Sequence, residues 1–302
     1  MAITRAQANR ELVPGLHALW GLENKRYQDE WKPIFETNSS ERAFEEEVAL
    51  SGFGSAVIKT EGASVAYDTA QEFYSTTYRH VTTALAFAIT EEAIEDNLYA
   101  ELGSRYTKAL AWSMNNTKEV MAASVLNNAF SASYLGGDGK RLCATDHPLV
   151  SGGTNSNRPA TYVDLSETAL ENGVIQIGAW TDQRGLLIAI KPKQLIIANA
   201  NSFTADKILN TVLKTDSADN TINSIYHTGA IPKGYHVNHY LIDTDAWFLT
   251  TDAPDGLKHF NRISRSFSKD GDFDTGNLRW KARERFAFGF TNPLGVFGSE
   301  GV

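Results

Sequence analysis

From Leu278 to Phe290 the chain alternates so strictly that this segment limits what the rest can be. The even positions read Leu, Trp, Ala, Glu, Phe, Phe, Phe, and positions 279, 281, 283 and 285 read Arg, Lys, Arg, Arg. Side chains along a strand point to opposite faces in turn, so this is a long strand with a mostly aromatic face and, over its first half, a basic one. One face needs a covering layer; the other must meet water or acid.

A second long element needs company along its length. Leu98, Leu102, Tyr106, Leu110 and Met114 recur every four residues, and after Asn115-Asn116-Thr117 the row resumes at Met121, Val125 and Ala129. Continuous from Asn97 to Ser133, this helix would be roughly 55 Å long at ~1.5 Å per residue. Leu85, Phe87 and Ile89 alternate with alanines as a strand ahead of it, and Thr90-Glu91-Glu92 supplies a cap and acids for the helix's positive end. Gly136-Gly137-Asp138-Gly139 stops the row, and a loop-rich stretch follows to about Pro159.

Downstream, a helix is expected over Leu165–Trp180, strands at Leu186–Ile190 and Gln194–Ala198, and a helix over Thr204–Lys214 with Ile208, Val212 and Leu213 on one face. Strands at His236–Ile242 and Ala246–Thr250 complete a compact α+β region. The N-terminal forty residues place Trp20, Tyr27, Trp31 and Phe35 among charges, with breaks at Pro14, Pro33 and Asn38-Ser39-Ser40. They read as a short helix and an extended arm outside the core. Between Phe44 and Tyr67 the apolar residues are sparse, and runs Ala56–Thr60 and Ser64–Asp68 flank Glu61-Gly62-Ala63 as a long hairpin. So thin a hairpin is marginal alone and should lean on something else.

The 302 residues, 42% of them hydrophobic, suffice for one elaborate domain or two interlocked ones. No apolar run approaches the ~18 residues of a membrane span, and the N-terminus lacks a basic flank followed by an apolar stretch, so a soluble, unexported protein is expected. Cys143 is the single cysteine, which excludes an internal disulfide. The net charge of −8 argues against an obligate nucleic-acid binder. Residues 1–100 hold 8 basic and 16 acidic side chains and residues 101–302 hold 20 of each, which points to charge pairing between segments or between chains.

Signatures of chemistry are weak. Cys143 and His147 lie four apart and invite a nucleophile and base, but a loop-anchoring turn is the better reading. Asp270, Asp272 and Asp274 open like a calcium loop, which fails at Thr275 and Lys281. Gly136–Arg141 contains Gly-Lys without the rest of a phosphate loop. On a regular strand His236 and His239 would face opposite ways and serve as structural histidines.

The pattern as a whole resembles a major capsid protein of tailed bacteriophages, with the HK-97-like shell fold that encapsulins also use. The segments that carry it are TEEAIEDNLY at 90–99, LCATDHPLVSGGTNSN at 142–157, WFLTTDAPDGLKHF at 247–260 and KARERFAFGFTNPLGVFGS at 281–299, similar to the Mu-type head-protein branch. The resemblance implies an N-terminal arm at 1–43, an extended loop at 44–75, a peripheral domain at 76–184 and 256–302 with a spine helix at 96–133, and an axial domain at 185–255. It implies a structural protein rather than an enzyme, without cofactor or metal, that self-assembles as pentamers and hexamers. The shell would be an icosahedral virion head around double-stranded DNA, built in the host bacterial cytoplasm without a membrane. Partners would be a portal, decoration proteins and a separate scaffold or none, because few residues precede the loop. The family's type member crosslinks a loop lysine to a neighbour's asparagine; Lys59 lies in the loop, but no partner can be assigned and crosslinking is not expected.

Inter-subunit contact is expected in the loop at Phe53, Val57, Ile58 and Lys59, and separately between the acids Glu41, Glu45, Glu46 and Glu47 and the Arg279, Lys281, Arg283 and Arg285 face of an adjacent subunit. A basic face turned to solvent or to DNA is the alternative. An encapsulin-like compartment for protein cargo stays open as a second function, and a cytoplasmic hydrolase using Cys143 as a third.

Overall fold

The computed structural model describes residues 5–90, 92, 99–214, 221–271 and 276–302. In chain order the elements are α1 (Arg5–Arg26), β1 (Glu36–Ser39), β2 (Phe44–Leu50), β3 (Glu72–Arg79), β4 (Val81–Ile89), α2 (Tyr99–Asn127), β5 (His147–Pro148), β6 (Thr154–Asn155) and α3 (Glu167–Gly178). There follow β7 (Pro192–Ile197), α4 (Ser202–Asn210), α5 (Ser224–Thr228), β8 (Tyr235–Val237), β9 (Trp247–Thr251), β10 (Leu257–Gly271), β11 (Leu278–Phe290) and β12 (Val296–Ser299).

The alternating segment is β11, an inner strand of a four-stranded sheet ordered β1-β10-β11-β4. Its even positions Trp280, Ala282, Glu284 and Phe286 are buried, while Arg279, Lys281 and Arg283 are exposed. Both long helices supply the covering layer: Trp20 of α1 packs with Leu110, Ala111 and Met114 of α2 against Ala282, and Leu16 packs with Ile89 and Trp280. Trp20 lies flat on Phe267 of β10 at 4.9 Å. The N-terminal segment is therefore core, contrary to the expectation of an outlying arm. Leu16, Trp20, Trp31, Ile34 and Phe35 are all buried because the sheet's apolar face is wider than α2 alone can cover.

The second sheet, ordered β12-β9-β7-β8, is buried on both faces. Alternation assigns Leu195, Ile197, Trp247, Leu249 and Phe297 to a core shared with α3, α4 and α5, and Ile196, Phe248 and Val296 to one shared with Ala122 and Leu126 of α2 and with Trp31 to Phe35. Such two-sided burial requires a near-continuous apolar run, which QLIIANA and WFLTT supply.

Several expected elements shift. α2 ends at Asn127 rather than Ser133, where Asn128 Nδ2 turns back onto the Ser124 carbonyl; the expected start at Asn97 lies outside the described residues. Ala122 and Leu126 are buried in place of Met121 and Val125, because steps of four overshoot a 3.6-residue turn by ~40° each and the stripe must step back. No strands form at 56–60 and 64–68; the pairing is between β2 and β3 on either side. Leu186–Ile190 makes only a single bridge, Thr181 to Leu187, because Asp182 captures the N–H groups of Arg184 and Leu186. α4 stops at Asn210, where Asn223 Nδ2 donates to the Ile208 and Thr211 carbonyls, leaving Val212 and Leu213 exposed. The strand expected to Ile242 ends at Val237, and the Asn238 side chain turns the chain by accepting from Tyr240 N–H.

Glu284 is an acid on the aromatic face. Its carboxylate is 3% exposed and is met by Arg265 of β10 at 3.2 Å and Lys118 of α2 at 3.5 Å. Arg265 also donates to Asn24 of α1, and Lys118 Nζ stands 4.8 Å from the rings of Trp31 and Phe286. Burial pushes the Lys118 ammonium down from its ordinary value, and Glu284 opposes the shift. Removing one partner of a buried pair leaves the others uncompensated, so Glu284→Ala should cost about 3–5 kcal/mol of stability, read by denaturant unfolding of the purified subunit.

Candidate functional site

Strand alternation splits β2 into two faces. Glu45 and Glu47 turn inward: Glu45 Oε1 accepts from Ser40 Oγ at 2.7 Å, and Glu47 Oε1 pairs with Lys258 Nζ at 2.5 Å. Lys258 is also held by Asp255 at 2.7 Å, and Thr291 Oγ1 bonds both Glu47 and the Tyr78 hydroxyl. Burial disfavours the Lys258 ammonium, but its hydrogen bonds to Asp255 and Glu47 outweigh this and raise its pKa. Tyr78 lies so close to β11 that a Cβ at Gly289 would sit 2.8 Å from its ring. The outward face of β2 carries Phe44, Glu46, Val48 and Leu50, all exposed.

Beyond β2 the chain runs through residues 51–71 without a ladder, turning at Gly62 with φ 80°. Phe53, Val57, Val65 and Tyr67 are exposed, and Ile58 is 92% exposed. Lys59 is exposed beside them. The loop's foot is pinned: Asp68 accepts from Gly54 N–H at 2.7 Å, from Arg184 Nη2 at 2.8 and 3.0 Å, and from Thr69 N–H at 2.8 Å. Those contacts, the Gly54 N–H foremost, hold its carboxyl down to about 2.

The basic column lies elsewhere on the subunit. Arg279, Lys281, Arg283 and Arg285 stand opposite Ala88, Ala86, Ala84 and Thr82 of β4, and the first three stand opposite Asp270, Ser268 and Ser266 of β10. Lys281 and Arg283 thus stand between small neighbours, alanine on β4 and serine on β10. Arg285 is half-buried, its Nη2 3.5 Å from the Ala43 carbonyl, which ties it to its own subunit. Glu41 and Glu46 are exposed, and among the described residues no ion pair joins residues 41–47 to the cations of β11.

The family model described as phage capsid protein matches residues 73–298. The chain belongs to the phage capsid protein family. No curated protein matches its sequence. Among solved structures, the capsid of a native GTA particle is similar at 14% identity and TM-score 0.53, with 89% of each chain covered. The capsid of Myoviridae phage XM1 is similar at 10% identity and TM-score 0.52, again over 89% of each chain. A virus-like particle from Pyrococcus furiosus is similar at 10% identity and TM-score 0.52, over 96% of this chain and 99% of the other. This is a likeness of fold, and the fold is HK-97-like.

In this capsid protein Cys143 and His147 do not form a catalytic pair. The thiol is fully buried and pushed far up by that burial. His147 Nδ1 meets Asp138 at 2.6 Å and Nε2 meets Asn157 at 3.0 Å, while Asn157 Nδ2 donates to the Leu142, Pro293 and Val296 carbonyls. The loop after α2 is thus stapled to the C-terminal strand, and Asp138 of the glycine-rich turn is one end of the staple. Asp272 and Asp274 lie outside the described residues. His236 and His239 do converge, contrary to expectation: with the strand ended at Val237, both reach Glu30. No helix among the described residues is long and apolar enough to cross a membrane.

Exposed ion pairs contribute little to stability but can fix a loop. Asp68→Asn should leave the thermal midpoint within a degree or two while speeding limited proteolysis between Gly52 and Tyr67, followed by mass spectrometry.

Proposed function

We propose that this member of the phage capsid protein family is the major capsid subunit, assembling as pentamers and hexamers into an icosahedral head around double-stranded DNA. It acts as a structural protein of the virion, without catalysis or cofactor, and assembles in the host bacterial cytoplasm with a portal and, where present, a scaffold and decoration proteins. The observation that carries this is loop 51–71: a long segment with exposed Phe53, Val57 and Ile58 and no ladder of its own is unexplained in an isolated subunit. In the domain reading that accompanies it, residues 1–43 form the arm, 44–75 the extended loop, 76–184 and 256–302 the peripheral domain with α2, and 185–255 the axial domain. The motifs at 90–99, 142–157, 247–260 and 281–299 support the Mu-type branch. The capsid family match favours this reading over a protein-cargo compartment.

The contact surface proposed pairs the outward acids Glu41 and Glu46 with the Arg279, Lys281 and Arg283 strip of the next subunit, while Phe53, Val57, Ile58 and Lys59 of the loop meet a neighbouring subunit separately. Glu45, Glu47 and Arg285 brace the two surfaces from behind. Each exposed ion pair is worth about 0–1 kcal/mol, but repetition around a shell multiplies it.

Electron microscopy of the protein, alone or with a scaffold, should show capsomers, shells or tubes; a strictly monomeric species under both conditions would refute assembly. Replacing Gly52–Tyr67 with a short Gly/Ser link should leave folded subunits that do not close shells. Reversing Lys281 and Arg283 to Glu should impair assembly, with partial rescue by Glu41→Lys and Glu46→Lys, and assembly should weaken with salt over a screening length of about 8–10 Å.

A further inference from the structure

The corner Asp29–Trp31 is where the N-terminal segment passes between α2 and the second sheet, and titratable groups grip it from both sides. From α2, Glu119 is 1% exposed; its Oε1 accepts the Glu30 N–H at 2.9 Å, and its equally buried Oε2 has no hydrogen-bond partner among the described residues. From the other side, the Glu30 carboxylate accepts the His239 N–H at 2.9 Å and faces its Nδ1 at 2.8 Å, while His236 Nε2 meets the Glu30 carbonyl at 2.9 Å. The charged surroundings do not relieve Glu119. Asp29 and Glu30 are like-charged neighbours, Lys32 is paired with Asp29, Lys118 is committed to Glu284, and the half-buried Tyr240 phenol stays neutral.

We propose that this corner is a proton-operated latch: with Glu119 protonated the N-terminal segment is clamped between α2 and the second sheet, and with Glu119 ionised the clamp loosens. Burial pushes the Glu119 carboxyl up to about 7; the Asp29 and Glu30 charges reinforce the shift, and the Glu30 and Trp31 N–H groups oppose it. A carboxyl whose folded-state pKa lies above its unfolded one gives its full contribution below the unfolded value. Stability is therefore greatest below about 4.5, falls between 4.5 and 7, and is level above that. The latch concerns the subunit itself and holds whether or not it builds a shell.

Amide hydrogen exchange on the full-length protein tests it, after correction for the intrinsic pH dependence of exchange. Protection of the Glu30 and Trp31 amides should fall by about tenfold or more between pH 5 and pH 8. Glu119→Gln, which keeps the neutral shape at every pH, should retain the protection at pH 8 and melt above wild type there. Asp29→Asn, which removes a like charge, should move the wild-type transition to lower pH. Equal wild-type protection at both pH values overturns the latch. So does a Glu119→Gln protein that is less stable than wild type at pH 8 or fails to fold there, or an Asp29→Asn transition that does not move.

Discussion

The buried carboxylate of Glu284 is the constraint around which the first sheet and its helices are arranged. An acid placed on an aromatic face must find cations before that face can close. It takes Arg265 from the neighbouring strand and Lys118 from α2, and Arg265 in turn reaches Asn24 of α1. Apolar packing by itself tolerates sliding of one element past another. A polar cluster of charges from α2 and two strands, joined to Asn24 of α1, does not, and with it set, Trp20 falls on Phe267 and Trp280 on Phe87.

The acidic excess of the first hundred residues serves the same purpose across the molecule. Glu47 binds Lys258, Asp68 binds Arg184, and the Glu30 carboxylate receives His239. Much of what looks in the sequence like an acidic surface is intramolecular fastening of the N-terminal third. Once these groups are spent inward, the outward residues of β2 and the loop are mainly apolar, and Lys281 and Arg283 of β11 stand exposed between small side chains. The surfaces proposed for assembly thus lie apart from the groups that stabilise the subunit's own fold.

Legibility followed the physics of each element. β4, α3, β9 and β11 announced themselves, because burial on one or two faces imposes a period that survives in the residues, as in Leu85–Ile89 and Leu278–Phe290. The N-terminal helix did not, since its few aromatics sit among charges and only a waiting sheet shows that Leu16 and Trp20 are core. The long-hairpin reading failed at 56–60 and 64–68 because scattered valines and isoleucines permit extension without requiring pairing within the same subunit. Of the surface residues proposed for assembly, the exposure of Val57, Ile58, Lys281 and Arg283 follows from sparse apolar content or strand alternation. The inward turn of Glu45 and Glu47 requires the register of β2 against β3.

The sequence by itself determined which residues pair as inside and outside along each strand and helix, because side-chain direction is a local property of the backbone. It determined the α+β class for the same reason. Only the tertiary structure decided which charge meets which. Ion pairs such as Glu284 with Lys118, Glu47 with Lys258 and Asp68 with Arg184 join residues more than a hundred positions apart. The meeting of His236 and His239 on Glu30 likewise depended on a strand ending one residue after His236. Contacts of that kind leave no period in the chain, since they arise where independently patterned elements come to rest against one another.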